Sequence, residues 1–230
     1  MPNSKLIEEV LKPVVRVNHD GSGSLVYSKN GLTLVLTNAH VLKECVVDED
    51  RLDETPFIDV DRFTYKDTGE LIGFYRVQAE IIAFDGANDL AMLRLRDSSQ
   101  ELNIALLPTA LEAKKISVFD EVFAVGCAYG DQPKPTTGII SSLNTEYMNK
   151  SFWMTTAPIV FGNSGGACFR KDAKGHYKLI GVPTAVLATV IEGADGKTQA
   201  PKEPVPHINY LVPAHGMLAF IKHVIKVVEA

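Results

Sequence analysis

From Val14 to Pro213 the chain is a succession of short runs rich in β-branched residues, separated by Gly, Asn and Asp. That rhythm constrains the fold more than any other feature of the sequence. The runs "VVRVNH", "GSLVYS", "LTLVLTNAHVL", "FYRVQAEIIAFD", "LAMLRL", "EVFAVGCA", "TGIISSLN", "SFWMTTA", "YKLIGVPTAVLATV" and "HINYLVP" are each strand-sized. Ten to twelve strands at hairpin spacing, with little helix between them, predict an antiparallel barrel or sandwich. A length of 230 residues suits one all-β unit of this kind. Two stretches keep a different period. Residues 4–12 predict a short helix capped by Ser4, with Leu6, Ile7, Val10 and Leu11 on one face and Pro13 as its stop. In residues 214–229, Met217, Leu218, Phe220, Ile221, Val224, Ile225 and Val228 form a broad apolar stripe, which predicts a helix packed on its own barrel.

The remaining segments read as connections. Residues 106–120 form a crossing between an N-terminal and a C-terminal half. The acidic stretch 44–56 lacks the spacing of a calcium loop and reads as a solvated loop. Residues 192–206, rich in Gly, Pro and charge, read as an exposed loop. The net charge is −5 and there is no basic run, which argues against nucleic acid as a partner. The apolar runs fall well short of the ~20 residues that a helical membrane span needs. Glutamates stand where a secretory signal would be apolar, and the cysteines (Cys45, Cys127, Cys168) are odd in number with no C-x-x-C pair. A cytoplasmic protein with reduced thiols, no metal and no cofactor is expected.

One stretch asks for chemistry. "IVFGNSGGACF", residues 159–169, surrounds Ser164 with Gly162, Gly165 and Gly166. Such a bend exposes a hydroxyl and leaves nearby amides able to donate, the parts of a nucleophile with an oxyanion hole. A serine nucleophile needs a base. His40, in "VLTNAHVL", sits where an apolar strand gives way to small polar residues. The base needs a carboxylate to orient it, and Asp89 stands directly before the apolar strand "LAMLRL", where an unpaired charge would be costly. The three follow one another in the order His, Asp, Ser.

The blocks "GSGSLVYSKNGLTLVLTNAHVL", "NDLAMLRL", "AVGCAYG…TTGIISSL", "GNSGGACF" and "LIGVPTAVLA" resemble, in order, those of chymotrypsin-type serine peptidases, closest to the HtrA/Deg-like branch. The resemblance runs from about residue 14 to 213. It implies an all-β fold of two perpendicular six-stranded antiparallel barrels, about 13–105 and 119–213, followed by a C-terminal helix at 214–229. It also implies His40 as general base, Asp89 as its orienting carboxylate and Ser164 as nucleophile. The oxyanion hole would fall on Gly162, Asn163 and Ser164. Thr184 would steady Asp89, and Thr184, Ala185 and Val186 would pair with substrate backbone.

Departures from the family refine the expectation. Pro158 occupies the position where trypsin-like enzymes carry the aspartate that selects basic side chains. With Pro158, Val160, Ala185, Val186 and Tyr210 as apolar walls, cleavage after small or medium apolar residues is expected, not after Lys or Arg. No PDZ domain is expected after the helix, and the sequence sets no oligomeric state. The expected partner is a polypeptide substrate, with the 192–206 loop a candidate switch for the site. Two other uses of the fold compete with a serine endopeptidase: a protease-derived binding or chaperone module, and a virus-encoded protease that cuts its own precursor. Degenerate members tend to lose a catalytic residue, and here all three remain.

Overall fold

A computed structural model describes residues 4–97, 103–147, 150–189 and 203–229. Two closed, six-stranded antiparallel barrels make up the chain. The first contains β1 (Val14–Val17), β2 (Gly21–Lys29), β3 (Leu32–Thr37), β4 (Ile58–Tyr65), β5 (Leu71–Asp85) and β6 (Leu90–Leu95). The second contains β7 (Glu121–Gly126), β8 (Lys134–Tyr147), β9 (Lys150–Thr155), β10 (Ala167–Lys171), β11 (Tyr177–Thr189) and β12 (Glu203–Pro213). Both have the same order, with the first strand closing on the fourth: β1-β2-β3-β6-β5-β4 and β7-β8-β9-β12-β11-β10. Closure leaves no unpaired sheet edge in either half.

Strand periodicity explains how the two barrels become one body. In β3, Val35 points into the first barrel with Leu93 of β6, whereas Leu34 and Leu36 point the other way. β6 repeats the pattern, with Ala91, Leu93 and Leu95 inward and Leu90 and Met92 outward. The outward sets meet Val125, Phe169, Leu179 and Val212 of the second barrel in a shared core. These strands are buried on both faces, so their sequences run apolar almost without interruption instead of alternating. A separate cluster that includes Ile140, Cys168, Ile180 and Leu211 fills the second barrel.

The terminal helices seal this arrangement. α4 (Ala214–Val228) lays Met217, Ile221 and Val224 into the shared core, each worth roughly 1.5–3 kcal/mol of apolar burial. At the other end, α1 (Ser4–Leu6) runs into a π-helical turn over Ile7–Leu11. The residues expected to form a helix do so, but its second half is wound wider than an α-helix. Glu9 in this turn accepts from the Tyr177 amide at 2.8 Å and pairs with the His176 imidazole at 2.7 Å, fastening the N-terminus to the second barrel.

Single turns occupy the connections. α2 (Ala39–Leu42) follows β3, and α3 (Ala110–Ala113) opens on a capping box made by Thr109 and Glu112. The acidic 44–56 loop holds a 3₁₀ turn, Leu52–Glu54. Among the described residues no cluster of His, Cys, Asp or Glu is arranged for a metal. Of the 192–206 loop, residues from Glu203 onward begin β12, and the rest, together with the switch expected there, lies outside the described residues. No described helix is long and apolar enough to cross a membrane.

All three cysteines are unpaired. Burial pushes the Cys127 thiol up to about 12 and raises those of Cys168 and Cys45 as well. Thiolate is the reactive form. Iodoacetamide at pH 8 should therefore leave Cys127 and Cys168 intact in the folded protein and modify only the half-buried Cys45 appreciably. All three should react in urea, and peptide mass mapping reads the pattern. Native alkylation of Cys168 would show that the second barrel opens readily.

Candidate active site

His40 lies on the one-turn helix α2, whose Ala39 and Leu42 are buried and fix it to the end of β3. Asn38, fully buried just before it, donates from Nδ2 to the Asp89 carbonyl at 2.7 Å. Asp89 precedes β6 with a φ of 55°, in the left-handed region that Asp tolerates better than most residues. The preceding turn is held by Asp85, whose carboxylate accepts from both the Asn88 amide and its side chain. The turn and the left-handed residue together aim the Asp89 carboxylate back at His40.

His40 Nδ1 lies 2.9 and 3.0 Å from the two Asp89 oxygens, and the His40 backbone amide donates to Oδ1 at 2.9 Å. The Thr184 hydroxyl, reaching across from β11, donates to Oδ2. Burial alone would raise the Asp89 pKa, but the hydrogen bonds and charge of His40, with the Thr184 bond, outweigh it and hold the carboxyl below its ordinary value. An ionised carboxylate only accepts, so Nδ1 carries the proton that faces it. An imidazole oriented in this way could take a proton at Nε2 when neutral, and the half-buried negative charge beside it would stabilise the cation so formed.

Ser164 occupies the turn between β9 and β10, and its hydroxyl donates to the Thr184 carbonyl at 3.5 Å. Among the described residues no hydrogen bond joins it to His40. Gly162 and Gly165 have φ of 94° and 82°. A Cβ on Gly162 would stand 2.4 Å from the Cys127 carbonyl, and one on Gly165 would stand 2.2 Å from that of Ser22. Left-handed backbone and close approach both demand glycine at these two positions. The amides of Asn163, Gly165 and Gly166 donate to Val160, Pro183 and Asn163 carbonyls at 3.0–3.1 Å. Those of Gly162 and Ser164 have no acceptor among the described residues. Asn163 contributes its side chain, which accepts from the Val160 amide at 3.1 Å, and its own amide is engaged. Of the expected oxyanion set, Asn163 thus braces the turn, whereas Gly162 and Ser164 carry the available donors.

The expected substrate walls divide. Thr184 is within reach of both Asp89 and Ser164. Pro158 is half-buried ahead of the turn, and its carbonyl accepts from the Thr136 hydroxyl at 2.8 Å. Tyr210 is buried, stacked on Tyr147 with ring centres 4.7 Å apart. Ala185 pairs with it across β11 and β12, and Val186 pairs with Asn209. The side chains of Ala185 and Val186 lie outside the described residues. A cavity of about 660 Å³ opens on the other flank of His40 and Asp89. Phe84, Tyr147 and Phe152 give it apolar walls, and Lys43 and Lys150 line it as well. None of these five residues stood out in the sequence, because nothing local joins Lys43, at the end of α2, to Phe84, Tyr147, Lys150 and Phe152 on three strands.

Ser22 was also hidden, although it lies in the quoted "GSGS". It is fully buried, donates from Oγ to the Gly162 carbonyl at 2.6 Å and accepts from the Cys127 amide at 2.7 Å. Its own amide donates to the Ser164 carbonyl at 2.8 Å. The run of small residues alone signalled a close contact, and the partner became visible only in three dimensions.

Two outcomes follow. Asp89→Asn should cost about 1–3 kcal/mol at neutral pH through the weakened, half-buried bonds to the His40 amide and imidazole and the Thr184 hydroxyl. Because the folded pKa lies below the unfolded one, the carboxylate's contribution is complete above the unfolded value of about 4 and is lost as pH falls through the folded value. The gap in urea midpoint between wild type and variant should therefore stay constant from pH 7 to 5 and shrink below about pH 4. Ser22→Ala should destabilise by about 1–3 kcal/mol, because the Cys127 amide and Gly162 carbonyl lose a buried partner. Ser22→Thr should fit worse than alanine, since it adds a methyl group to a side chain that is fully buried. Urea melts read both.

Residues 21–182 match the family described as trypsin-like peptidase domain. Over 172 residues the chain is 30% identical to the periplasmic pH-dependent serine endoprotease DegQ of Escherichia coli (strain K12), covering 73% of this chain and 31% of DegQ. It is 31% identical over 177 residues to the chloroplastic Protease Do-like 5 of Arabidopsis thaliana, covering 73% of this chain and 49% of that protein. The chain thus spans less than half the length of either relative. Its fold superposes on the crystal structure of Deg5 with a TM-score of 0.65 at 25% identity, covering 94% of this chain and 90% of the other. With the sequence match extending through most of both barrels and the same architecture in Deg5, this protein belongs to the trypsin-like peptidase family, on its HtrA/Deg side.

Proposed function

We propose that the chain is a serine endopeptidase working through an acyl-enzyme. The observation that carries this is the Asp89 carboxylate, bound at once to His40 Nδ1 and the Thr184 hydroxyl, beside a serine turn whose Gly162 and Ser164 amides have no internal acceptor. The Ser164 hydroxyl leaves the Thr184 carbonyl, turns to His40 Nε2 and gives up its proton as Oγ attacks the peptide carbonyl carbon. The carbonyl oxygen takes the negative charge and receives the Gly162 and Ser164 amides. His40 then protonates the leaving amine, the C–N bond breaks and an ester to Ser164 remains. Water, deprotonated by the same imidazole, cleaves that ester and returns the proton to Ser164. Asp89 keeps its charge throughout and steadies the imidazolium.

Pro158, Ala185, Val186 and Tyr210 offer no charge to a basic side chain, which supports cleavage after small or medium apolar residues. The cavity walled by Phe84, Tyr147 and Phe152 would take a further apolar side chain of the substrate. Three unpaired thiols support a reducing compartment, the cytoplasm. A second reading has one observation in its favour. Ser164 rests on Thr184 rather than on His40, as a binding module that keeps the residues without using them would also allow.

A fluorophosphonate probe separates the two. One covalent adduct on wild type by intact mass, absent from Ser164→Ala and His40→Ala, is expected. Peptide esters ending in Val or Leu should then be cleaved at least about tenfold faster than those ending in Arg, a difference of about 1.4 kcal/mol in transition-state stabilisation. A folded wild type that takes no adduct would leave the binding module standing.

A further inference from the structure

Between the first barrel and the serine turn lies a short segment, Cys127–Asp131, that touches both. On one side the Tyr129 amide donates to the Phe161 carbonyl at 2.8 Å. In a trans peptide the carbonyl and the following N–H point in opposite directions. That bond therefore turns the Gly162 amide away from Tyr129 and forbids the peptide to flip. On the other side the Gly130 carbonyl accepts from Arg16 Nη1. A tight turn joins the two contacts, with Gly130 N donating to Cys127 O at 2.9 Å and Asp131 N to Ala128 O at 3.1 Å. Whatever holds the Gly130 carbonyl also holds the Tyr129 amide.

Arg16 is itself fixed. It stands opposite Asp61 across β1 and β4, and Asp61 stands opposite Arg76 across β4 and β5. Arg16 Nε and Nη2 converge on Asp61 Oδ2 at 2.9 and 2.5 Å, and Arg76 Nε holds Oδ1 at 2.7 Å. Asp61 is only 2% exposed. The Phe63 and Phe74 rings lie 5.7 and 5.2 Å from the Arg16 guanidinium carbon. A guanidinium is a rigid planar fork. With two of its nitrogens held by Asp61, the third can point in one direction only, at Gly130.

We infer that Arg16, aimed by Asp61, is a positioning residue for the oxyanion hole, acting through Gly130, Tyr129 and Phe161 on the Gly162 amide. A buried ion pair of the first barrel thereby sets the direction of a donor in the second. The inference rests on the peptidase mechanism proposed above, and it extends the active site to a side chain that touches neither substrate nor the reacting atoms.

Wild type, Arg16→Gln, Arg16→Lys and Arg76→Gln separate this role from simple stability. Arg76 shares Asp61 but makes no contact with the 127–131 turn among the described residues. Removing one oxyanion donor outright costs about 10²–10³ in kcat. Arg16→Gln only loosens the donor, so a fall of about tenfold or more in kcat at unchanged KM is expected. A peptide boronic acid, whose tetrahedral adduct uses the same amides, should weaken by a similar factor. The midpoint of the pH profile should not move, because His40 and Asp89 are untouched. Lysine, which keeps the charge without the fork, should not rescue, and Arg76→Gln should stay within about threefold of wild type. Hydrogen exchange at the Tyr129 amide should quicken in Arg16→Gln and not in Arg76→Gln. Equal kcat, boronate affinity and Tyr129 exchange in Arg16→Gln and wild type would overturn the inference, as would equal losses in the two glutamine variants. If wild type fails to react with fluorophosphonate, the peptidase assignment falls, and the Tyr129 exchange rates still decide whether Arg16 holds the turn.

Discussion

The two barrels meet backbone to backbone at Ser22, and the rest of the site depends on that contact. The Ser22 amide donates to the Ser164 carbonyl and its hydroxyl bridges the Cys127 amide and the Gly162 carbonyl. These groups are buried, so each would cost about 1–3 kcal/mol if left unmade. The chain can come this close only because Gly162 and Gly165 carry no side chain where a Cβ would meet a carbonyl oxygen. Thr37 completes the junction by donating from its hydroxyl to the Ser22 carbonyl at 2.7 Å. The Ser164 turn, the Cys127 segment and both barrels are thus coupled through one small residue.

Around this junction, carboxylates are withdrawn from water in two places, Asp89 half-buried and Asp61 fully buried, and each is met by several partners. Asp89 gathers His40 and Thr184 from two different barrels. Asp61 gathers Arg16 and Arg76 from the strands on either side. Both carboxyls are held below their usual range because bonds to their partners outweigh desolvation. Their consequences differ. The first orients the His40 imidazole, while the second aims Arg16 at the Gly130 carbonyl. The thiols follow the opposite rule. Burial keeps Cys127 and Cys168 protonated and inert.

Legibility followed the kind of constraint involved. His40, Asp89 and Ser164 could be found because their chemistry needs particular residue types in particular surroundings: a base at a strand end, a carboxylate before an apolar strand, a hydroxyl among glycines. The helices at both ends were legible from apolar spacing, although the wider π turn at Ile7–Leu11 was not, since it conserves the same apolar face. Arg16 and Asp61 were invisible. Each looks like an ordinary outward strand residue, and only the cross-strand register of β1, β4 and β5 reveals them as neighbours. Phe84, Tyr147 and Phe152 were invisible for the same reason, as three aromatic residues on separate strands with nothing local to join them.

By itself the sequence determined an antiparallel β architecture of barrel or sandwich type, a capping C-terminal helix and a His–Asp–Ser set with its serine in a glycine turn, and the family resemblance narrowed the first to two barrels. These depend on period, turn chemistry and residue type, all of which are local. Tertiary structure decided which amides of the turn remain available and that Asn163 braces instead of donating. It also decided that the Ser164 hydroxyl rests on Thr184, and that an ion pair in one barrel reaches the oxyanion turn of the other. Those outcomes depend on the direction of single hydrogen bonds, some of them between segments more than a hundred residues apart in the chain, such as Arg16 and Gly130 or Ser22 and Gly162. Direction across such a span is fixed by packing and strand register, which no local pattern encodes.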